Sequence, residues 1–112
     1  MQRYGSVIGV KREKVKEYKK LHVAVWPGVL KMIKLCKIRN YSIYLRKMPD
    51  GKYYLFSYFE YTGSNFAADM GKMASDPLTQ KWWRCCNPCQ VKLPGLAKDE
   101  WWAGMEEVFH CD

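Results

Sequence analysis

Tyr18, His22 and Trp26 recur at every fourth position of the stretch YKKLHVAVWP, residues 18–27. Residues four apart lie on one face of an α-helix, so the three side chains share a face if this stretch is helical. Histidine titrates closest to neutral pH, which suits it to general acid–base chemistry. The chain has only two histidines. His22 is therefore the first candidate for a reactive group; the alternative is a helix histidine packed between two aromatic side chains.

A second group of chemically capable residues is the stretch CCNPC, residues 85–89. A structural zinc site needs four ligands, and the remaining candidates (Cys36, His110 and Cys111) are scattered along the chain. A thioredoxin-like redox motif opens a helix, whereas these cysteines follow the end of one. We therefore interpret Cys85, Cys86 and Cys89 as free thiols near a helix terminus.

The odd total of five cysteines excludes complete internal pairing and favours a reduced, intracellular protein, although one intermolecular disulfide would also absorb the odd thiol.

The overall composition predicts one domain, residues 1–112, with enough apolar residues (48%) for a core. No apolar run approaches the roughly 18 residues that span a membrane, and the N-terminus lacks the pattern of a signal peptide, so we expect a cytoplasmic location and no membrane partner.

Much of the net charge of +8 lies in residues 11–20. Glu13 and Glu17 are interleaved there at helical spacing, which predicts pairs with Lys16 and Lys20 on a solvated helix face rather than a nucleic-acid site.

The elements that position these residues follow from periodicity and from the breaks at proline and glycine. Alternation predicts strands, and spacings of three and four predict helices. The predicted strands are residues 2–10, 38–47, 53–61 and 104–110; the predicted helices are residues 12–24, 27–37, 65–74 (capped by Ser64) and 77–86. The turn Pro49-Asp50-Gly51 joins two strands into a hairpin. Its first strand places Tyr41, Ile43 and Leu45 on one face.

The resulting β-α-β-β-α-β order predicts an α+β fold of the ferredoxin-like kind. Helices cover one face of such a sheet and leave the other open. The predicted strands are rich in tyrosine and phenylalanine, so the open face needs a partner or a cavity to cover it. We therefore expect a homodimer.

Four stretches then carry a resemblance to a known family: YKKLHVAVWP, RNYSIYLRK, YYLFSYFEY and QKWWRC, in this order. Together they resemble the L-rhamnose mutarotase family, over roughly residues 3–90 with a weaker echo at EEVFH. The resemblance implies a dimeric α/β-barrel protein that interconverts the α and β anomers of a 6-deoxy sugar without a cofactor. It also implies roles for five residues: His22 as the catalytic proton donor, and Tyr18, Tyr41, Trp82 and Trp83 as substrate-binding residues.

The chemistry of these residue types agrees with that implication. Mutarotation needs one proton delivered to the ring oxygen and one removed from the anomeric hydroxyl, which a histidine near neutral pKa can serve. Aromatic rings with N–H and O–H groups suit a sugar that has an apolar methyl face and a polar edge. Each of these aromatic residues also has a plain packing role as its alternative.

Some positions depart from the family pattern. Val23 and Gly28 replace the asparagine and glutamate that are common there, and neither the segment after Trp83 nor the pair Trp101–Trp102 matches it. L-rhamnose and a relative such as L-fucose therefore both stay open as substrates. Two other classes also remain: a dimeric α/β-barrel protein of another kind (a cofactor-free monooxygenase or a haem-handling protein) and a basic binding module.

Overall fold

The computed structural model describes residues 1–112. The strands are β1 (Gln2–Val10), β2 (Ile38–Lys47), β3 (Tyr53–Tyr61), β4 (Gln90–Val91) and β5 (Ala103–Met105). The helices are α1 (Val15–Val23), α2 (Pro27–Leu35), α3 (Phe66–Ser75) and α4 (Pro77–Cys86), with 3-10 turns at Arg12–Lys14 and Asn87–Cys89. No helix combines the length and the apolar character that a membrane crossing requires.

The strands form one antiparallel sheet in the order β2-β3-β1-β4. The central strand β1 pairs with β3 along its whole length, from Gln2 opposite Tyr61 to Val10 opposite Tyr53. Its other edge is shared: β4 pairs with Gly9 and Val10, and β5 pairs with residues 5–7. This is the strand order of a ferredoxin-like fold, so the predicted fold class is confirmed.

The predicted last strand, residues 104–110, is largely wrong. The strand at this edge is the three-residue β5, and residues 106–112 have no regular structure. Beyond Met105 the chain contacts β1 through side chains instead of backbone hydrogen bonds. The Arg3 guanidinium donates hydrogen bonds to both carboxylate oxygens of Glu107, at 2.9 and 3.1 Å. The rest of the edge is supplied by β4, which lies in a stretch where the sequence predicted no strand.

Proline and polar side chains set the helix ends. The α1 helix ends at Val23 and α2 begins at Pro27, so the proline opens the second helix as predicted. Ser64 is not the cap of α3. That helix begins later than expected, at Phe66, and the Asn65 side chain accepts a hydrogen bond from the Ala68 N–H at 3.1 Å.

The predicted ion pairs on α1, from Glu13 to Lys16 and from Glu17 to Lys20, do not form. Glu17 instead lies 3.7 Å from Lys14 and also accepts a hydrogen bond from the Cys89 thiol at 3.2 Å. The carboxylate of Glu17 is thus turned toward the end of α4 rather than along its own helix. This contact is one of two side-chain hydrogen bonds between α1 and the segment after α4; the other joins Gln90 to Tyr18.

All four helices lie on one face of the sheet, and the main core sits between them. Its buried members are Ile8, Val10, Tyr18, Val29, Leu55, Trp82, Cys86 and Cys89. Ile43 and Leu45 of β2 pack against this core, and Tyr41 lies on the same face beside the Phe59 ring, as alternation predicted. The opposite face carries no helix, and its side chains include Tyr44, Tyr54, Phe56 and Tyr58.

Candidate active site

A cavity of about 380 Å³ lies between α1 and the sheet. Its size falls within the range of small-molecule sites. Most of its lining is apolar, and two of its residues, Tyr18 and His22, are those that the sequence placed on one helix face. The lining residues are Val10, Val15, Tyr18, Lys19, His22, Val23, Ile43, Leu45 and Leu55. Val23 at the C-terminal end of α1 is 86% exposed, so this side of the cavity meets solvent.

The His22 ring is held by a hydrogen bond that also settles its tautomer. Its Nδ1 atom lies 2.9 Å from the backbone carbonyl oxygen of Tyr18, one turn earlier on α1. A carbonyl oxygen only accepts, so Nδ1 carries a proton in both the neutral and the charged ring. Nε2 is therefore the nitrogen that lacks a proton in the neutral ring.

Two aromatic rings enclose the His22 imidazole. The Tyr18 ring stacks on it with centroids 4.2 Å apart, and the Trp82 ring meets it edge-on at 5.3 Å. Trp26, which lies between the end of α1 and the start of α2, packs edge-on against Trp82 with ring centroids 5.0 Å apart. The spacing of Tyr18, His22 and Trp26 thus describes one aromatic cluster, and Trp82 of α4 completes it.

The two tryptophans of α4 have different surroundings. Trp82 is 6% exposed and belongs to the core, whereas Trp83 is 36% exposed and makes none of the ring contacts of this cluster. Neighbouring residues on a helix point about 100° apart, which is why the pair divides in this way. The structure brings Tyr18, His22 and Trp82 together and leaves Trp83 outside.

The Tyr18 hydroxyl is neutral over the physiological range. Burial raises the pKa of Tyr18 well above its usual value, the nearby Tyr41 adds to the rise, and a hydrogen bond from Gln90 opposes it. The Gln90 Nε2 atom lies 3.4 Å from the Tyr18 oxygen. The phenol at this position is therefore a proton-bearing, hydrogen-bonding group rather than a base.

Tyr41 has a buried hydroxyl on a partly exposed residue. Burial raises the pKa of Tyr41 to about 12, and the thiol of Cys86 adds to the rise. The residue as a whole is nevertheless 42% exposed, and it lies within the irregular pairing between Arg39 and Ser42 in β2. Its hydroxyl end is close enough to Tyr18 to influence that residue's titration. Tyr41 thus borders the cluster without joining its ring contacts.

The cysteine stretch supports α1 through a hydrogen bond. Cys89 is fully buried, and burial together with the carboxylate of Glu17 raises its pKa to about 11; burial raises the pKa of Cys86 to about 12. Thiols in this state are weak nucleophiles. All five cysteines are free, and no group of three or more His, Cys, Asp or Glu side chains is placed to hold a metal ion.

Sequence reasoning missed Gln90. It lies next to the Tyr18 hydroxyl, yet it sits in a two-residue strand after Pro88, where no periodic pattern exists. Lys19 and Val23 on the cavity wall were also missed, although each directly follows a candidate residue on α1. Position next to a candidate was the available signal for those two; only the tertiary structure reveals Gln90.

Comparison with known proteins identifies the family. Residues 3–111 match the family model described as L-rhamnose mutarotase. The chain belongs to the L-rhamnose mutarotase family. An L-rhamnose mutarotase of Oceanobacillus iheyensis is 32% identical over 112 residues and covers the whole of both chains. One of Phocaeicola vulgatus is 38% identical over 107 residues, which cover 87% of this chain and 86% of that protein.

A solved structure agrees with the architecture. The crystal structure of an L-rhamnose mutarotase from Formosa agariphila superposes with a TM-score of 0.75 over the whole of both chains at 20% identity. Likeness at this identity confirms the fold of the mutarotase family. Together with the family match, it favours a sugar isomerase over the two other classes that the sequence left open.

Proposed function

We propose that this protein interconverts the α and β anomers of L-rhamnose, or of a closely related 6-deoxy sugar, with His22 as its acid–base residue. One observation carries the proposal in this member of the mutarotase family: the cavity is bordered by an imidazole whose Nδ1 is committed to the Tyr18 carbonyl oxygen. The other nitrogen, Nε2, is left to exchange protons.

Ring opening needs two proton transfers, and ring closure reverses both, so the reaction gains or loses no proton overall. A protonated His22 delivers the Nε2 proton to the ring oxygen while the anomeric hydroxyl loses its proton to water at the solvent side of the cavity. The C1–O5 bond breaks and an open-chain aldehyde forms. After rotation about C1–C2, the neutral imidazole takes the proton back from the O5 hydroxyl as O5 attacks the other face of C1, and the former carbonyl oxygen regains a proton from water to restore the anomeric hydroxyl. A positioned acid–base group typically accelerates such steps by about 10²–10⁴-fold.

The walls of the cavity match a deoxy sugar. Val10, Ile43 and Leu45 offer an apolar surface for the C6 methyl group, and Tyr18 and Lys19 offer polar groups for the hydroxyls. The roles of Tyr41, Trp82 and Trp83 in sugar binding remain predictions. Of these three, Trp82 lies in ring contact with His22, and Tyr41 lies near Tyr18.

Saturation-transfer NMR on the anomers of L-rhamnose and L-fucose tests the proposal directly. We expect the wild-type protein to increase exchange between the anomeric signals and His22→Ala to lower that increase by about 10²-fold or more. His110→Ala is the matched control, because the only other histidine lies in the C-terminal segment and contacts Asp112. It should exchange the anomers at the wild-type rate.

The outcomes separate function from mechanism. Absence of enhancement by the wild-type protein on any aldose would refute the proposed function. Undiminished enhancement in His22→Ala would refute the role of His22 alone. A stronger effect on L-fucose than on L-rhamnose would change the preferred substrate and leave the mechanism in place.

We also propose a homodimer that covers the open face of the sheet. This face carries aromatic side chains and no helix, and Tyr44 on it is 66% exposed. Val108 and Phe109 of the C-terminal segment also project into solvent. A second copy of the chain would bury such apolar surface in a symmetric interface.

A further inference from the structure

We propose that Trp101 and Gln90 orient the Tyr18 hydroxyl as a hydrogen-bond donor to the sugar. The three residues form a chain of hydrogen bonds, here called the Trp101–Gln90–Tyr18 relay. Its catalytic meaning rests on the proposed function of the cavity. The relay gives a role to Trp101, one of the residues that does not match the family pattern.

The register of β4 places the Gln90 side chain on the face of the sheet that holds the cavity. Gln90 pairs with Val10 of β1, and paired residues of an antiparallel sheet point to the same face. Val10 lines the cavity, so the Gln90 side chain also lies on the helix side of the sheet, where it is 6% exposed. Gly9 suits the close approach of β4, because a Cβ atom there would lie only 3.0 Å from the Val91 carbonyl oxygen and 3.2 Å from the Val91 Cβ atom.

The direction of the hydrogen bonds follows from the indole of Trp101. An indole N–H only donates, and Trp101 Nε1 lies 2.5 Å from Gln90 Oε1. The amide oxygen of Gln90 is therefore the acceptor, and its Nε2 group must face Tyr18, which lies 3.4 Å away. An amide nitrogen only donates, so the Tyr18 oxygen accepts.

The Tyr18 proton is then left for the cavity. Gln90 is the only side chain that the Tyr18 hydroxyl contacts by a hydrogen bond, and it fills an acceptor position of the oxygen. The O–H proton has no acceptor in the protein and is available to a sugar oxygen beside His22. Without the indole, the Gln90 amide is free to turn, and its oxygen would accept the Tyr18 proton instead.

The loop that presents Trp101 is held by its own contacts. The Lys92 ammonium group donates to the carbonyl oxygen of Ala97 at 2.8 Å, and the Glu100 N–H donates to the same oxygen at 3.1 Å. The Ala97 N–H in turn donates to the Glu100 carboxylate at 3.3 Å. These bonds close the loop just before Trp101 and fix where its indole points.

Gln90→Glu tests the direction of the relay, because a carboxylate accepts from both neighbours. At about pH 8 the carboxylate should accept a hydrogen bond from the Tyr18 hydroxyl, which is then no longer available to the sugar. We expect kcat/KM for the sugar anomers to fall about 10-fold relative to wild type. Protonation of the carboxyl group restores a donor toward Tyr18 and an acceptor toward Trp101. The ratio of variant to wild-type activity should therefore recover as the pH is lowered toward the reference glutamate pKa of about 4.3.

Trp101→Phe is the second variant, and Trp102→Phe is its matched control. Both keep an aromatic ring, but only the first removes an indole N–H that bonds to Gln90. We expect Trp101→Phe to lose about 3- to 10-fold in kcat/KM, and Trp102→Phe to stay within about twofold of wild type. Circular dichroism and urea midpoints establish that each variant is folded.

Several outcomes would overturn the relay. Equal losses in Trp101→Phe and Trp102→Phe would indicate packing alone, and a Gln90→Glu loss that does not recover at low pH would contradict the assigned direction. Wild-type acceleration together with unchanged activity in Gln90→Glu would remove the relay and leave the proposed function standing. If the wild-type protein accelerates anomer exchange in no aldose, the relay and the proposed function are both refuted.

Discussion

His22 owes its orientation to three neighbours rather than to its position on α1 alone. The Tyr18 ring stacks on one side of the imidazole, the Trp82 ring meets it edge-on, and the Tyr18 carbonyl oxygen holds Nδ1. A side chain held in this way loses little further freedom when a sugar binds, which lowers the entropic cost of reaching the reactive geometry. This fixed geometry supports the proposed role of His22 in proton exchange at Nε2.

The first prediction at the residue scale separates the two tryptophans of α4. Trp83→Ala removes a partly exposed ring, so we expect a change of less than about 1 kcal/mol in the free energy of unfolding. If Trp83 binds the sugar, its loss raises KM severalfold. Trp82→Ala should instead cost about 3–5 kcal/mol, because it leaves a cavity in the core. Urea unfolding and anomer-exchange kinetics measure both; an unchanged KM in Trp83→Ala would remove Trp83 from the site.

A second prediction concerns the pH dependence of stability at Cys89. Burial and Glu17 raise its pKa from 9.0 to about 11, so the unfolded chain loses this proton first as the pH rises. The contribution of the thiol to stability is fully present below pH 9 and is lost toward pH 11, at up to about 1.4 kcal/mol per pH unit. The substitution Cys89→Ser keeps a hydrogen-bond donor for Glu17, but the serine hydroxyl does not lose its proton between pH 9 and pH 11.

Urea unfolding at pH 8, 9 and 10 compares the two proteins. The free energy of unfolding should fall less steeply with pH in Cys89→Ser than in wild type. Equal slopes of the free energy of unfolding against pH in the two proteins would show that the raised pKa of Cys89 does not contribute to stability. Cys111→Ser is the matched control, because Cys111 is exposed in the C-terminal segment and should leave the wild-type slope unchanged.

At the scale of elements, α4 is positioned by its first turn. The Asp76 carboxylate accepts hydrogen bonds from the backbone N–H and the hydroxyl of Thr79, at 2.9 and 2.8 Å. Pro77 follows at the first helical position, where a missing N–H costs nothing. We infer that this start helps to set the rotation of α4, in which Trp82 rather than Trp83 faces His22.

We therefore predict that Asp76→Ala lowers stability and activity together. The lost cap should cost about 0.5–2 kcal/mol in the free energy of unfolding. Asn65→Ala removes the cap of α3 and should cost a similar amount, but α3 carries no candidate site residue. Only Asp76→Ala should lower kcat for the sugar anomers in urea-free buffer. Equal kcat values in the two variants would contradict a role of α4 in positioning the site.

At the scale of the whole molecule, the sheet is covered on one side only. All helices lie on the face that holds the cavity, so the cavity is built within one chain while the other face is left free for association. The two faces can therefore serve different purposes. In our proposal one face binds the sugar and the other packs against a second copy of the chain.

The dimer is tested by the mass of the protein in solution. We expect sedimentation equilibrium to give about twice the chain mass of 13.2 kDa. Tyr44→Asp places a charge on the open face and should shift the protein to the single-chain mass, because burying an unpaired carboxylate is costly. Leu30→Asp, at an exposed position on α2, is the control and should remain dimeric. A wild-type protein of single-chain mass would refute the dimer.

The sequence alone determined the parts of the fold that depend on local patterns. Strands 2–10, 38–47 and 53–61, the face of Tyr41, and the helix starts at Pro27 and Pro77 all follow from alternation and proline geometry, and all are present. The pairing of Tyr18 with His22 is equally local, because one helical turn separates them. The family could also be recognised before the fold was known, because its residues recur in order along the chain.

Only the tertiary structure decided the contacts between distant segments. The Trp82 ring reaches His22, and Gln90 reaches Tyr18, across separations of 60 or more residues, and no periodicity records such contacts. The last strand was misplaced for the same reason: β5 is three residues long, and its extent depends on the edge of β1 rather than on its own residues. Local sequence sets which face a side chain takes, whereas the packing of the sheet and helices sets what that side chain meets.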